Sequence, residues 1–169
     1  MDIGEKWIKR KFFLKNLPDL NGAIKESWHR FYLYRKQGIN LRIQKINDHY
    51  ELERMAPENN LTRNKFTIPI TKEEFDLLRP LAKNEVKRDS YQLPGNPPAW
   101  LMIYHGRFEG LGRIEVQFAN EAEAIKFVPP SWFGQEIGHT PLGTEDSLLD
   151  LTTSQFQHLF SQLQQGSRE

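Results

Sequence analysis

Eight stretches of this chain either alternate apolar and polar residues or run short and apolar between turn signals, so most of it must fold as strands. They lie near residues 6–15, 24–35, 38–46, 49–55, 63–70, 85–93, 99–105 and 112–118. Between them stand residues that turn a backbone: Leu17-Pro18-Asp19, Gln37-Gly38, Asn47-Asp48, Pro57-Glu58-Asn59-Asn60 and Pro94-Gly95-Asn96-Pro97-Pro98. Gly106 and Gly110 bracket the connection between the last two strands. So many strands leave unpaired edges, and closing the sheet on itself removes them. The expected architecture is β-rich α+β: an eight-stranded antiparallel closed barrel with short flanking helices.

Three helices are expected beside the strands. Thr71-Lys72-Glu73-Glu74 is a capping box ahead of Phe75, Leu77 and Leu78. Asn120 caps Glu121-Ala122-Glu123-Ala124-Ile125, with acids in the first turn, where the helix dipole favours them. In the tail, Thr152 or Ser154 precedes Phe156, Leu159, Phe160 and Leu163 at helical spacing. No repeat, low-complexity block or linker interrupts the chain. The expected organisation is one domain over residues 1–151, with a helical tail at 152–169 packed on it.

Composition excludes several classes. There is no cysteine among the 169 residues, so disulfides and thiolate metal sites are ruled out. No apolar run approaches the ~18 residues of a membrane span, and the charged Met1–Lys6 leads into no signal-like segment. The expectation is a soluble, cytoplasmic protein that does not associate with membranes. His29, His49, His105, His139 and His158 show no paired metal-ligand spacing, and no phosphate-loop, nucleophile-elbow or dinucleotide motif occurs. The formal net charge of +1 argues against nucleic acid as partner. Charge is nevertheless unevenly spread: residues 1–70 carry 14 basic against 8 acidic side chains, the remainder 9 against 14. A basic first half suits an anionic ligand; two complementary solvated faces would give the same count.

Four ordered landmarks carry a family likeness: Lys11-Phe12-Phe13-Leu14-Lys15-Asn16-Leu17-Pro18, Leu61-Thr62-Arg63-Asn64-Lys65-Phe66-Thr67-Ile68-Pro69-Ile70, His105 to Val116, and Trp132-Phe133-Gly134-Gln135-Glu136-Ile137-Gly138. Together they resemble the CYTH, or triphosphate-tunnel, group, which includes class IV adenylate cyclases, thiamine triphosphatases and inorganic triphosphatases. The likeness spans roughly residues 5–150. It implies a tunnel whose inward lysines and arginines grip triphosphate while glutamates hold magnesium or manganese.

Carried over residue by residue, the resemblance keeps cations and loses acids. It implies anion-binding roles for Lys9, Lys11, Arg42, Arg54, Arg63, Lys65, Arg88 and Arg113. Strand 49–55 is open between two registers, with either Glu53 or Arg54 inward, because a one-residue slip exchanges the faces. Trp7 and Lys9 stand where the family's first strand has glutamates, and Lys65 and Thr67 replace both glutamates of an Arg-x-Glu-x-Glu strand. Trp100 and Met102 fill two further acid positions, and Ser90 a basic one. Among the matched carboxylates, Glu115 and Glu136 remain as candidate metal ligands.

Three functions follow as expectations. In the first, the protein binds a triphosphate-bearing small molecule, nucleotide or other phosphate-rich anion, with hydrolysis reduced or lost and Lys9 or Lys65 neutralising charge in place of metal. The second is an active Mg- or Mn-dependent triphosphatase or cyclase, using acids such as Glu51 or Glu53. The third is an interaction module on the same scaffold, plugged by Trp7, Trp100 and Met102. Glu115 could instead pair with Lys9, Lys65 or Arg113. No cofactor is implied with certainty, and oligomeric state is left open.

Overall fold

The computed structural model describes residues 8–57 and 63–166. Nine strands form: β1 (Ile8–Leu14), β2 (Ile24–Lys36), β3 (Ile39–Ile46), β4 (His49–Pro57), β5 (Arg63–Pro69), β6 (Asn84–Leu93), β7 (Ala99–His105), β8 (Gly112–Phe118) and β9 (Phe133–Glu136). Four α-helices accompany them: α1 (Lys72–Leu78), α2 (Glu121–Lys126), α3 (Glu145–Asp150) and α4 (Thr153–Gly166). Among the described residues no helix is long and apolar enough to cross a membrane.

Hydrogen bonds order the strands β5-β4-β3-β2-β6-β7-β8-β1-β9, and every pair whose register is described is antiparallel. The fold is therefore a β-rich antiparallel sheet with few helices. The expected antiparallel, β-rich character is present, with nine strands in place of eight, and among the described residues hydrogen bonding does not join the two ends of this order. The extra strand is β9, which pairs along the edge of β1 not taken by β8. Phe12 lies opposite Glu136, and Leu14 opposite Phe133.

The chain packs as two compact units: residues 26–88, and residues 8–25 with 89–166. In the first, β2 and β3 are joined through Gln37 and Gly38, whose φ angles of 51° and 77° are both positive. That two-residue turn matches the twist of a hairpin, and glycine takes such angles without Cβ strain. One face of this unit is apolar. Phe31, Ile43 and Phe75 are buried together, with Leu33, Tyr50, Leu52 and Leu78 against them. The expected capping box is present: Thr71 Oγ1 accepts from the Glu74 N–H, and Glu74 accepts from the Thr71 N–H, which starts α1 so that Phe75 reaches the sheet.

The second unit repeats this arrangement with other residues. Phe12, Leu101, Ile114, Val116 and Phe118 bury one sheet face beneath Ala124 of α2 and Phe133 of β9. Each large side chain so removed from water contributes about 1.5–3 kcal/mol. On α4, Phe156 meets Phe108 edge-on at 5.2 Å, and Phe160 meets Phe13 at 6.0 Å. In both units the second sheet face carries charge, since alternate residues of a strand point to opposite sides.

Candidate functional site

The charged face of the first unit is built from facing residues of neighbouring strands. Tyr32 of β2 lies opposite Arg42 of β3, Arg42 opposite Glu53 of β4, and Glu53 opposite Thr67 of β5. This ladder decides the open register: Glu53 is buried beside Arg42, while Arg54 is exposed on the opposite face. Arg42 donates to one Glu53 oxygen through both Nε and Nη2, the former at 2.6 Å, and its Nη1 donates to the Tyr32 hydroxyl at 3.3 Å. Thr67 Oγ1 donates to the other Glu53 oxygen at 3.1 Å, and the exposed Lys65 ammonium stands 3.9 Å from it.

Burial alone would raise the pKa of Glu53. The charges of Arg42 and Arg30, the hydrogen bonds from Arg42 and the charge of Lys65 outweigh it and hold the carboxyl below its usual range. Along the same face, Arg30 Nε donates to Gln44, which donates to Glu51. The guanidiniums of Arg30 and Arg88 lie 5.2 and 4.9 Å from the Trp28 ring. Glu51 and Glu53 are thus each engaged by protein donors. Arg63 opens β5 opposite Pro57, and its side chain lies outside the described atoms.

The charged face of the second unit comes from β1, β8 and β7. Lys9 is paired across β1–β8 with Gln117, Lys11 with Glu115, and Phe13 with Arg113. Across β7–β8, Trp100 is opposite Glu115 and Met102 opposite Arg113. Lys9 reaches diagonally to Glu115, its Nζ 2.8 Å from Oε1; the lysine side chain is 46% exposed and the glutamate 14%. Burial pushes the Glu115 pKa up, but the Lys9 charge and hydrogen bond, then Lys11 and Arg113, bring it below the ordinary value.

Arg113 is the least satisfied group on this face. It is 3% exposed; its Nη2 touches the Met102 sulfur at 3.6 Å and its guanidinium lies 5.5 Å from the Tyr104 ring. Nε and Nη1 are buried and donate to nothing among the described residues. A buried N–H without an acceptor costs about 1–3 kcal/mol, more on a charged group. An incoming anion would remove that cost.

Glu136 takes no part in this face. Arg10, which is not among the residues matched to the family's site, forks onto it with Nε to Oε1 at 2.9 Å and Nη2 to Oε2 at 2.8 Å. Arg10 Nη1 also donates to the carbonyls of Ala124 and Phe127, closing the end of α2. The Arg10 hydrogen bonds lower the Glu136 pKa against a smaller burial effect. By strand parity Arg10 and Glu136 lie on the apolar side of β1, Lys9 and Glu115 on the other, so the two candidate metal ligands are not brought together.

The residues present do not fit a divalent cation. Among the described residues no group of three or more histidine, aspartate or glutamate side chains gathers to hold one. On the second unit's face the only carboxylate matched from the sequence, Glu115, is engaged by Lys9 and surrounded by Lys11 and Arg113. A hard cation needs several oxygen donors, here replaced by positive charge. Trp7, expected inward on this strand, lies outside the described residues. Of the other expected plugs, Met102 is buried beneath Arg113 and Trp100 is half-buried.

Comparison with known proteins places these faces in context. An inorganic triphosphatase of Nitrosomonas europaea is 29% identical over 133 residues, covering 77% of this chain and 87% of that protein. A crystal structure of an inorganic triphosphatase superposes with a TM-score of 0.70 and 25% identity over 86% of this chain and 95% of the other. A putative adenylate cyclase from Bacillus halodurans shares the fold, with a TM-score of 0.52 and 14% identity over 72% of this chain and 84% of its own. No family model matches the chain.

Proposed function

Because the chain is a divergent member of the CYTH, or triphosphate-tunnel, family, we propose that it binds triphosphate or a similar phosphate-rich anion on the cationic face of β1 and β8, with hydrolysis reduced or lost. The observation that carries this reading is Arg113, a buried guanidinium with two donor nitrogens unpartnered among the described residues. Guanidinium offers phosphate a planar pair of N–H donors, whereas lysine offers a mobile point charge. Lys9 stands half-exposed at the outer edge, Lys11 beside Glu115, and Arg113 deepest. An entering polyphosphate would meet the lysines first and then satisfy Arg113. Diminished turnover is argued from the acids: matched positions hold Lys9, Lys65, Thr67, Trp100 and Met102, and Glu136 is committed to Arg10.

Calorimetric titration with inorganic triphosphate tests the binding. We expect saturable binding that weakens as salt rises, because screening reduces interactions of the exposed lysine. Arg113→Met should weaken it by about ten- to hundredfold, the worth of one charge-assisted hydrogen bond or slightly more. Absence of binding to triphosphate, thiamine triphosphate and ATP would sink the reading. The activity of the Nitrosomonas relative favours a second one, in which turnover is retained. Metal-stimulated phosphate or pyrophosphate release that disappears in Glu115→Gln would establish it.

A further inference from the structure

Resting on that reading, we propose that Lys9 is a built-in counter-cation: its ammonium occupies Glu115 in place of a divalent metal, so phosphate-rich anions bind this face without metal and Glu115 acts by positioning Lys9. In a metal-dependent phosphate site, carboxylates hold a cation and the cation meets the phosphate oxygens. Here the order carboxylate, cation, open face is kept, but the cation is covalently part of the chain. Lys9 Nζ is 2.8 Å from Glu115 Oε1, and the lysine is the more exposed partner, 46% against 14%. The ammonium therefore stands between the carboxylate and an arriving anion.

Three features of the surroundings agree with this assignment. Lys11 lies directly opposite Glu115 in the ladder, and Arg113 is two residues along β8, so three cations act on one carboxylate. Adding a dication there would place further positive charge among them. An ammonium has three donors and no acceptor, so the bond to Glu115 fixes one donor and leaves geometry for phosphate oxygens at the others. The strand pairing fixes which residues lie across from which, so no neighbouring residue of β1 can take the place of Lys9 without a register slip that would turn the buried Phe12 and Val116 toward the other face.

Glu115 is a positioning residue here. Without it Lys9 keeps its charge but loses its anchor, whereas without Lys9 the carboxylate faces the anion and repels it. The two replacements therefore have separable effects.

The test uses the full chain and inorganic triphosphate, titrated in excess EDTA and again in millimolar Mg²⁺. Binding in EDTA at least as tight as in Mg²⁺ is expected. Lys9→Gln should lose about tenfold or more in EDTA, the worth of one charge-assisted contact, and Mg²⁺ should not restore it. Lys9→Glu, which sets a second carboxylate beside Glu115, should gain Mn²⁺ binding, read by the electron-spin resonance of free Mn²⁺ with no phosphate present. Glu115→Gln should weaken triphosphate binding less than Lys9→Gln. Triphosphate binding by the unaltered chain that requires Mg²⁺ or Mn²⁺ overturns the inference while leaving the proposed function standing. Mn²⁺ bound by the unaltered chain and lost in Glu115→Gln overturns it equally. No triphosphate binding in either buffer overturns both.

Discussion

Glu53 is a buried carboxylate held by Arg42, Thr67 and the nearby Lys65, and its neighbours decide what each substitution costs. Removing one partner from a buried ion pair strands the other charge, typically at about 3–5 kcal/mol, while replacing both by apolar groups is often nearly neutral. Arg42→Leu should therefore lower the urea-denaturation free energy by that amount, and Arg42→Leu with Glu53→Leu should recover most of it. A single variant within about 1 kcal/mol of the parent, the range of a surface pair, would show that the pair is not desolvated. The same residues mark how far the sequence could be read. That Arg42 belongs to a basic strand was legible, but whether Glu53 or Arg54 faced it was not, because parity along one strand is fixed only by pairing with its neighbours. The pairing of Arg10 with Glu136 was illegible for a related reason. The contacts of Arg10 are the carbonyls of Ala124 in α2 and of Phe127 just beyond it, and Glu136, all more than a hundred positions away.

At the scale of elements, all eight strands read from alternation form within a few residues of the expected bounds, because a half-buried antiparallel strand writes its burial directly into the sequence. The three expected helices form as well, each behind the anticipated cap region. β9 and α3 were missed. β9 has only four residues, and its Gly134 breaks the alternation; a Cβ there would lie 2.9 Å from the Phe13 carbonyl oxygen, so close pairing with β1 requires glycine. α3 did leave a signal: Thr144 caps it by accepting from the Ser147 N–H, with Glu145 and Asp146 in its first turn. Six residues are too few for a visible apolar period. The turn before α3 gives a sharp prediction. A Cβ on Gly143 would stand 2.6 Å from the Ile137 carbonyl oxygen and 2.8 Å from that of Gly138, both backbone atoms. Gly143→Ala should destabilise by about 1–3 kcal/mol, the usual range for overpacking a fixed interior. At the opposite limit, Gly22, with nothing within 4 Å of its added Cβ, meets no packing barrier and tests only its positive φ. Thermal midpoints of the two alanine variants compare steric exclusion with backbone strain, and a Gly143→Ala midpoint equal to the parent's would contradict the described packing.

At the scale of the molecule, three ion-paired carboxylates among the described residues, each with a lowered pKa, set the response to acid. The pKa of Glu53, Glu115 and Glu136 each lies below the usual glutamate value of 4.5. For Glu53 and Glu115, burial works against this and the neighbouring cations prevail; for Glu136, the Arg10 hydrogen bonds lead. As pH falls through 4.5, the unfolded chain takes up protons at these positions while the folded chain does not. Stability rises with pH wherever the unfolded state holds more protons, so the contribution is complete above that pH and is lost as pH falls through the lower folded values. Urea midpoints should be level from about pH 7 to about pH 5 and then decline steadily, since protonation removes the charge each cation needs. Glu136 is 38% exposed at its side chain, so its share is reduced by solvent screening and should be the first to vanish in added salt. Glu53 and Glu115 are covered and should carry most of the decline. Glu115→Gln should therefore lower the plateau, because Lys9 loses its partner, and also flatten the slope below about pH 5, because one proton-linked group is gone. A parent profile that stays level to about pH 3, or a Glu115→Gln profile parallel to the parent's, would show that the buried pairs do not govern acid stability.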